Sequence, residues 1–371
     1  MRVIGGIDEL PAGLRFALTI GMFDGVHRGH QRAIKSLVGA ARKAGAASVV
    51  LSFDPHPAQV LRGSAPPLLC SPAEKLARLA ALGVDTTVVQ PFGREFADQP
   101  PEAFLERICS GRQLVAIVMT GESAFGRDRT GILTTIRRLG AGMKFRVVQV
   151  NRLESEGGTL SSTRLRTLLG DGRLADVRRL LGRRYAVTGT VVKGDRRGRT
   201  LGYPTANLEF SSPVALPPNG VYAVRVGWGG ESPLEPAHTS DGVASLGVRP
   251  TFGGGARLLE VHLFDFDGDL YGMDLRVEFV RRLRGEKKFS TVPALVRQMD
   301  RDAARARSIL NGTAKRVSAV KSNACYPRAE LETRKYRRNG CPWREKPRKG
   351  SWRNMPDRRQ TQARLRSRSR S

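Results

Sequence analysis

"FALTIGMFDGVHRGHQRAIKSLVGAARKAG", Phe16 to Gly45, decides the fold. Its opening, "FALTIGMF", is an apolar run of strand length, and from Gln31 apolar residues recur at helical spacing until Gly45 stops the pattern. Strand, tight turn and helix in that order begin a parallel α/β unit, and the chain repeats the arrangement. "SVVLSF" reads as a strand. "SPAEKLARLAALG" reads as a helix with Ser71 as cap, Pro72 in the first turn, Glu74 at the capping-box position and Gly83 as stop. "DTTVVQPF", the helical "PEAFLERICSG", the strand "QLVAIVM", a helix after Thr130 and the strand "FRVVQV" follow. This alternation predicts a parallel sheet covered by helices on both faces.

After two short helical segments, "STRLRTLLGDG" and "LADVRRLLG", the texture changes. From Tyr185 to Val280 the segments are short, rich in Val, Thr and Tyr and punctuated by Gly and Pro, which predicts an antiparallel barrel or sandwich. A helix over Val292 to Leu310 closes it. The expected organisation is therefore an α/β domain over 1–182, a β domain over 183–310 and a tail over 311–371.

Charge is unevenly spread over the 371 residues. The chain carries a net +29, yet residues 311–371 hold 19 Lys and Arg against 4 Asp and Glu, a net +15, so about half of the excess lies in the last sixth. That tail lacks periodicity, has few aliphatic residues and ends "RLRSRSRS", a composition that does not repay the entropy of ordering, so it is expected to be disordered. Nucleic acid is an expected partner only through this tail, because polyanions collect on basic segments whatever their fold. Cys70, Cys109, Cys325 and Cys341 form no C-x-x-C pair, which argues against a disulfide framework or zinc ribbon. The start, "MRVIGGIDEL", lacks a basic segment followed by an apolar run, and no window approaches a membrane span, so a cytoplasmic protein without a membrane partner is expected.

Two constellations carry chemistry. Ligands of parallel sheets collect at the carboxyl ends of strands, and "GMFDGVHRGH" sits there after the first long strand. Gly21, Phe23, Asp24, Gly25 and Gly29 shape the turn, and His27 and His30 share one helix face. The two imidazoles are suited to hold a phosphate, to join His56 of "FDPHP" in a metal site, or to serve turn and packing. "LSSTRLR" supplies Ser161 and Ser162 as caps, with Thr163, Arg164 and Arg166 at the positive end of a second helix, a cluster suited to a triphosphate.

The second constellation is "VVKGDRRGRTLGYPTANLEF", Val191 to Phe210. Gly194, Gly198 and Gly202 let main chain approach a ligand closely, while Arg196, Arg197 and Arg199 supply positive charge. Thr205 and Asn207 of "PTAN" are neutral oxygen donors suited to Mg²⁺ beside nucleotide phosphates.

Taken together, "GMFDGVHRGH", "FDPHP" and "LSSTRLR" resemble the nucleotidylyltransferase superfamily, specifically the FMN adenylyltransferase module of prokaryotic bifunctional riboflavin kinase/FAD synthetases. "PTAN", "PPNGVYAV", "SLGVRPTF", "LLEVHLFDFDGDLYG" and "VRRLRGEKKFS" resemble, in order, the motifs of the riboflavin kinase module. The resemblance implies a Rossmann-like N-terminal domain and a kinase barrel with a C-terminal helix. It implies riboflavin, FMN and ATP as substrates, Mg²⁺ as cofactor and FMN and FAD as products. It assigns catalysis to Glu260, His27 and His30, phosphate binding to Gly21, Phe23, Asp24, Gly25, Gly29, Ser161, Ser162, Thr163, Arg166, Gly194, Arg199 and Gly202, metal binding to Thr205 and Asn207, and flavin contact to Phe125 and Gly126. Oligomerisation is compatible with this organisation. One segment departs from the pattern: "GESAFGRDRTG", Gly121 to Gly131, lacks the Asp or Asn and the first Phe usual on the flavin side of the adenylyltransferase pocket, a loss worth about tenfold to thousandfold in FMN affinity. The alternatives are a riboflavin kinase with a weakened partner domain and a basic nucleic-acid-binding protein.

Overall fold

A computed structural model of the chain describes residues 1–155, 158–194, 198, 201–248 and 257–317, with side chains to 312. Arg199, the arginines at 196 and 197, and the tail from residue 318 lie outside the described residues.

Strands β1 (Arg2–Ile4), β2 (Arg15–Ile20), β3 (Ala47–Asp54), β4 (Thr86–Pro91), β5 (Gln113–Met119) and β6 (Arg146–Gln149) form one sheet in the order β1-β4-β3-β2-β5-β6. Every pairing in it is parallel. Both faces are covered, and the alternation of side chains along β2 shows how. Phe16 and Leu18 join a core with Phe104, Leu105 and Ile108 of α5 (Pro101–Cys109) and Ile136 of α6 (Leu133–Met143). Ala17 faces the other way, into a core with Ile34 and Leu37 of α1 (Arg28–Lys43) and Leu79 of α3 (Pro72–Ala81). This is the parallel sheet buried on both faces that the sequence predicts. β1 is an addition, too short at three residues to register as a periodic signal. The chain turns left from β2 to β3 and right from β2 to β5, so the topological switch point lies at the carboxyl end of β2, where the histidine loop begins.

Two further helices, α7 (Ser162–Gly170) and α8 (Leu174–Leu181), lead into β9 (Ala186–Val192), β10 (Ala206–Glu209), β11 (Gly220–Trp228), β12 (His238–Val248), β13 (Arg257–Leu263) and β14 (Asp274–Arg284). These close as an antiparallel barrel in the order β10-β13-β12-β11-β14-β9. Leu165, Leu169, Val177 and Leu181 of α7 and α8 share one apolar core with Val187, Tyr222, Val261 and Val277 of the barrel. The two lobes are thus joined by buried apolar surface, each such side chain contributing about 1.5–3 kcal/mol.

The last helix, α9 (Val292–Val317), packs against the outer barrel wall through Ala306 and Leu310, both fully buried with Val221, Ala223 and Leu283. It runs past Leu310 to Val317, so its final two turns lie in the stretch that composition alone assigns to the tail.

Candidate active sites

The histidine loop is built from unusual backbone. Phe23 adopts a left-handed conformation at φ 50° and Gly25 follows at φ 75°. At Gly25 a Cβ would stand 2.9 Å from that of Leu69, so a side chain is excluded by both conformation and space. The tight turn aims His27 at the start of α1. Its Nδ1 accepts the amide hydrogen of His30 at 3.3 Å, capping the helix, which leaves the proton of the neutral ring on Nε2. The two rings stack with centroids 3.6 Å apart, and Phe23 meets the His30 ring edge-on at 5.2 Å. Burial, aided by the positive charge of Arg183, pulls the His27 pKa down to about 4. Burial and the neighbouring His27 and Lys75 hold His30 far below the ordinary histidine value. Both imidazoles are therefore neutral donors at pH 7. The Nδ1 of His30 is buried with no hydrogen-bond partner in the chain.

Asp24, Ser162 and Arg166 meet beside them. The Asp24 carboxylate accepts the Leu69 amide at 2.9 Å and a guanidinium hydrogen of Arg166, and the Ser162 hydroxyl donates to the Asp24 carbonyl at 3.1 Å. Ser161 caps α7, accepting from the Arg164 amide at 3.2 Å. Thr163 is exposed on the first turn of α7. The two motifs read as separate phosphate ligands are brought together, with Arg166 and Asp24 bound to each other. His56 is occupied as the cap of α2 (Pro57–Arg62), accepting from the Ala58 amide at 3.0 Å. Among the described residues no group of three or more His, Cys, Asp or Glu is placed to hold a metal ion, so the histidine metal reading gains no third ligand.

The second site lies on the outside of the barrel. Along β13, Leu259, Val261 and Leu263 point inward, so period-two alternation turns Leu258, Glu260 and His262 outward under α9. There they line a cavity of about 460 Å³ with Thr205, Asn207, Ser245 and the α9 residue Met299. Glu260 is paired in the ladder with Asn207 on one side and Ser245 on the other. Asn207 is buried and its Oδ1 has no hydrogen-bond partner. A Cβ at Gly194 would fall 2.3 Å from the Asn207 amide nitrogen, which explains the glycine. Thr205 also borders a second cavity of about 530 Å³ that runs along Asp267, Asp269 and Tyr271. Tyr203 donates its hydroxyl hydrogen to Asp300 of α9, and burial together with that carboxylate pushes its pKa up to about 12.

Family models described as FAD synthetase and riboflavin kinase match residues 12–164 and 181–310. The bifunctional riboflavin kinase/FMN adenylyltransferase of Escherichia coli K12 is 36% identical over 317 residues, covering 84% of this chain and 99% of its own. The chain belongs to the bifunctional riboflavin kinase/FMN adenylyltransferase family. The Bacillus subtilis relative of the same name is 35% identical over 77% of this chain and 89% of its own. A crystal structure described as a macrolide-efflux protein from Streptococcus pneumoniae shares 31% identity and a TM-score of 0.72, over 81% of this chain and 96% of that one. Its fold covers both lobes. Among the described residues here no helix is long and apolar enough to cross a membrane.

Within this family framework, the surroundings of three residues bear on the adenylyltransferase pocket. The Phe125 ring packs edge-on against Phe104 at 5.4 Å, at the end of an aromatic row through Phe96 and Phe92 to Phe53, so its nearest partner is the core. Gly126, at φ 76°, lets the loop lie on Pro101, 2.9 Å from where its Cβ would be. The third is Lys75, which no motif marks: it sits on the face of α3 turned to the histidine loop and donates to Ser52 at 2.9 Å. Its signal was a lysine at a position where helical periodicity expects a partly buried residue.

Proposed function

We propose that this chain makes FMN and then FAD, using ATP in both steps. Riboflavin is phosphorylated in the cavity beneath α9, and FMN is adenylylated at the histidine loop. The observation that carries the reading is Glu260 paired in the ladder with Asn207, whose side-chain carbonyl oxygen is orphaned, in a cavity of about 460 Å³ that meets a second of about 530 Å³ at Thr205. Glu260 accepts the proton of the ribityl primary hydroxyl as its oxygen attacks the γ-phosphorus of ATP and the bond to ADP breaks. Thr205 and Asn207 would hold Mg²⁺, which supplies charge neutralisation to the phosphates when bound. The buried, unpartnered Asn207 oxygen and the Gly194 space beside it fit that role.

At the histidine loop an FMN phosphate oxygen attacks the α-phosphorus of the second ATP, with pyrophosphate leaving. FMN is already largely ionised at neutral pH, its second pKa being near 6, so a general base is not required. Neutral His27 and His30 and the amino end of α1 stabilise the charge that grows on the phosphate oxygens. Asp24 and Arg166 fix the loop to α7. A second reading keeps the kinase and weakens FAD synthesis, and it rests on the Gly121–Gly131 segment and on Phe125 facing Phe104.

The reading places the enzyme in the cytoplasm, where ATP is available and Cys70 and Cys109 stay as the free thiols seen here. Nucleic acid enters only through the tail. Incubating the purified chain with riboflavin, ATP and Mg²⁺ and separating flavins over time tests both readings. FMN followed by FAD is expected; FMN alone, even with FMN supplied at the start, selects the second reading; no FMN rejects both.

A further inference from the structure

Two adjacent residues on the first turns of α3 reach opposite ways. Glu74 is buried against the barrel, 2.6 Å from Arg78, 3.8 Å from Arg183 and 3.9 Å from Arg276 of β14. Arg183 in turn donates to the carbonyl of Gly25 at 2.7 Å, so the same cluster fixes the histidine loop. Lys75 points to the carboxyl edge of the parallel sheet. Its ammonium donates to Ser52 at the end of β3, and the Ser52 hydroxyl lies 3.4 Å from the carbonyl of Met22. Among the described residues no carboxylate comes within salt-bridge distance of it.

The cations expected from "SSTRLR" are engaged elsewhere. Arg166 is bound to Asp24 and the Pro67 carbonyl, and Arg164 to Ser155 and the Gly158 carbonyl. The field of Lys75 reaches His30 on α1, Asp24 in the turn, Asp54 on β3 and His56 on α2, while Cys70 acts on Lys75 from the loop before α3, and His27, Arg166 and Arg183 act on the same group of residues. Burial lowers the lysine pKa, while Asp24 and Asp54 favour the charged form. An ammonium steadied by a neutral hydroxyl, its field felt by a buried imidazole that has an unpartnered nitrogen, keeps its charge for an incoming anion.

We propose that Lys75 is the phosphate-binding cation of the adenylyl-transfer site, contacting the oxygens of a substrate phosphate next to His30. This rests on the adenylyl-transfer reading above. The phosphate belongs either to ATP or to FMN, and steady-state kinetics distinguish them.

The test uses the full chain as K75M and K75R, with FAD formation from FMN and ATP measured alongside riboflavin phosphorylation. K75M is expected to lower kcat/KM for FAD formation by about 10²–10³-fold with the kinase rate unchanged, and K75R to retain more than K75M. A rise in KM confined to ATP assigns Lys75 to the triphosphate, one confined to FMN to the monophosphate; either supports the proposal. Met fills the space of the lysine stem, so a purely structural Lys75 predicts normal FAD formation in K75M, and that result overturns the proposal. If K75M loses kinase activity as well, S52A decides: selective loss of FAD formation supports the role and unchanged FAD formation overturns it. A wild-type chain making no FAD from FMN would instead refute the adenylyl-transfer reading itself.

Discussion

Arg166, one turn into α7, donates a guanidinium hydrogen to the carboxylate of Asp24, 142 residues earlier in the turn after β2. Both side chains are largely buried, at 16% and 5% exposed. The pair ties the second nucleotide-binding motif to the first, and the same guanidinium holds the Pro67 carbonyl at 2.7 Å. Burial pushes the Asp24 pKa up while Arg166 and the Leu69 amide oppose it, so the carboxylate depends on its partner to stay ionised. R166A is expected to destabilise the chain by about 3 kcal/mol, because it strands a buried charge. D24N combined with R166A should recover part of that loss. Urea unfolding of the two single variants and the double variant measures the coupling.

Acid should weaken the fold through His27. Its pKa is about 4 in the folded chain against an ordinary 6.5. Between these values the unfolded chain binds the proton more readily, so the contribution is complete above pH 6.5 and is lost as pH falls to 4. The span corresponds to about 3 kcal/mol. Comparing urea unfolding of the wild type and H27Q across that range isolates it: the wild-type curve falls more steeply.

At the kinase site, G194A places a methyl carbon 2.3 Å from the Asn207 amide. Asn207 must move, and with it the oxygen opposite Glu260. Riboflavin phosphorylation should drop by about 10²-fold, the cost of misplacing a reacting group by an ångström, while FAD formation from supplied FMN stays at the wild-type rate.

The point of truncation matters at the C-terminus. Leu310 is fully buried and its carbonyl accepts from Arg225 at 3.0 Å. A chain ending at Val317 should keep both activities and lose the salt-sensitive binding of polyanions that a basic tail provides. A chain ending before Ala306 should lose kinase activity and melt at a lower temperature, as differential scanning calorimetry would show.

Much of this was legible in the sequence because it is local. The caps Ser71 and Ser161 stand where short-range signals put them, and the strands of the sheet follow from runs such as "QLVAIVM". β10 was not legible as a strand: its four residues lie within "PTANLEF", where a proline and a cluster of polar residues mask the alternation. β12 begins at His238, ahead of "VASLGV": its polar first residues, His238 to Asp241, hide the strand pattern, yet they pair with Trp228 to Arg225 of β11. Long-range pairings leave no local trace. That Arg166 would pair with Asp24, that α7 and α8 would share the barrel core, and that Lys75 would reach Ser52 beside the histidine loop all depend on how elements far apart in sequence pack.

If one chain runs two reactions at two separate sites, a single substitution in the barrel should remove one and spare the other, and E260Q is the most direct test. Flavins from this variant should be separated by chromatography after feeding riboflavin in one reaction and FMN in another, each with ATP and Mg²⁺. FMN formation should fall by about 10²–10⁴-fold, the range lost with a general base, while FAD formation from FMN continues at the wild-type rate. Loss of both activities together, or an undiminished kinase rate, would contradict the account.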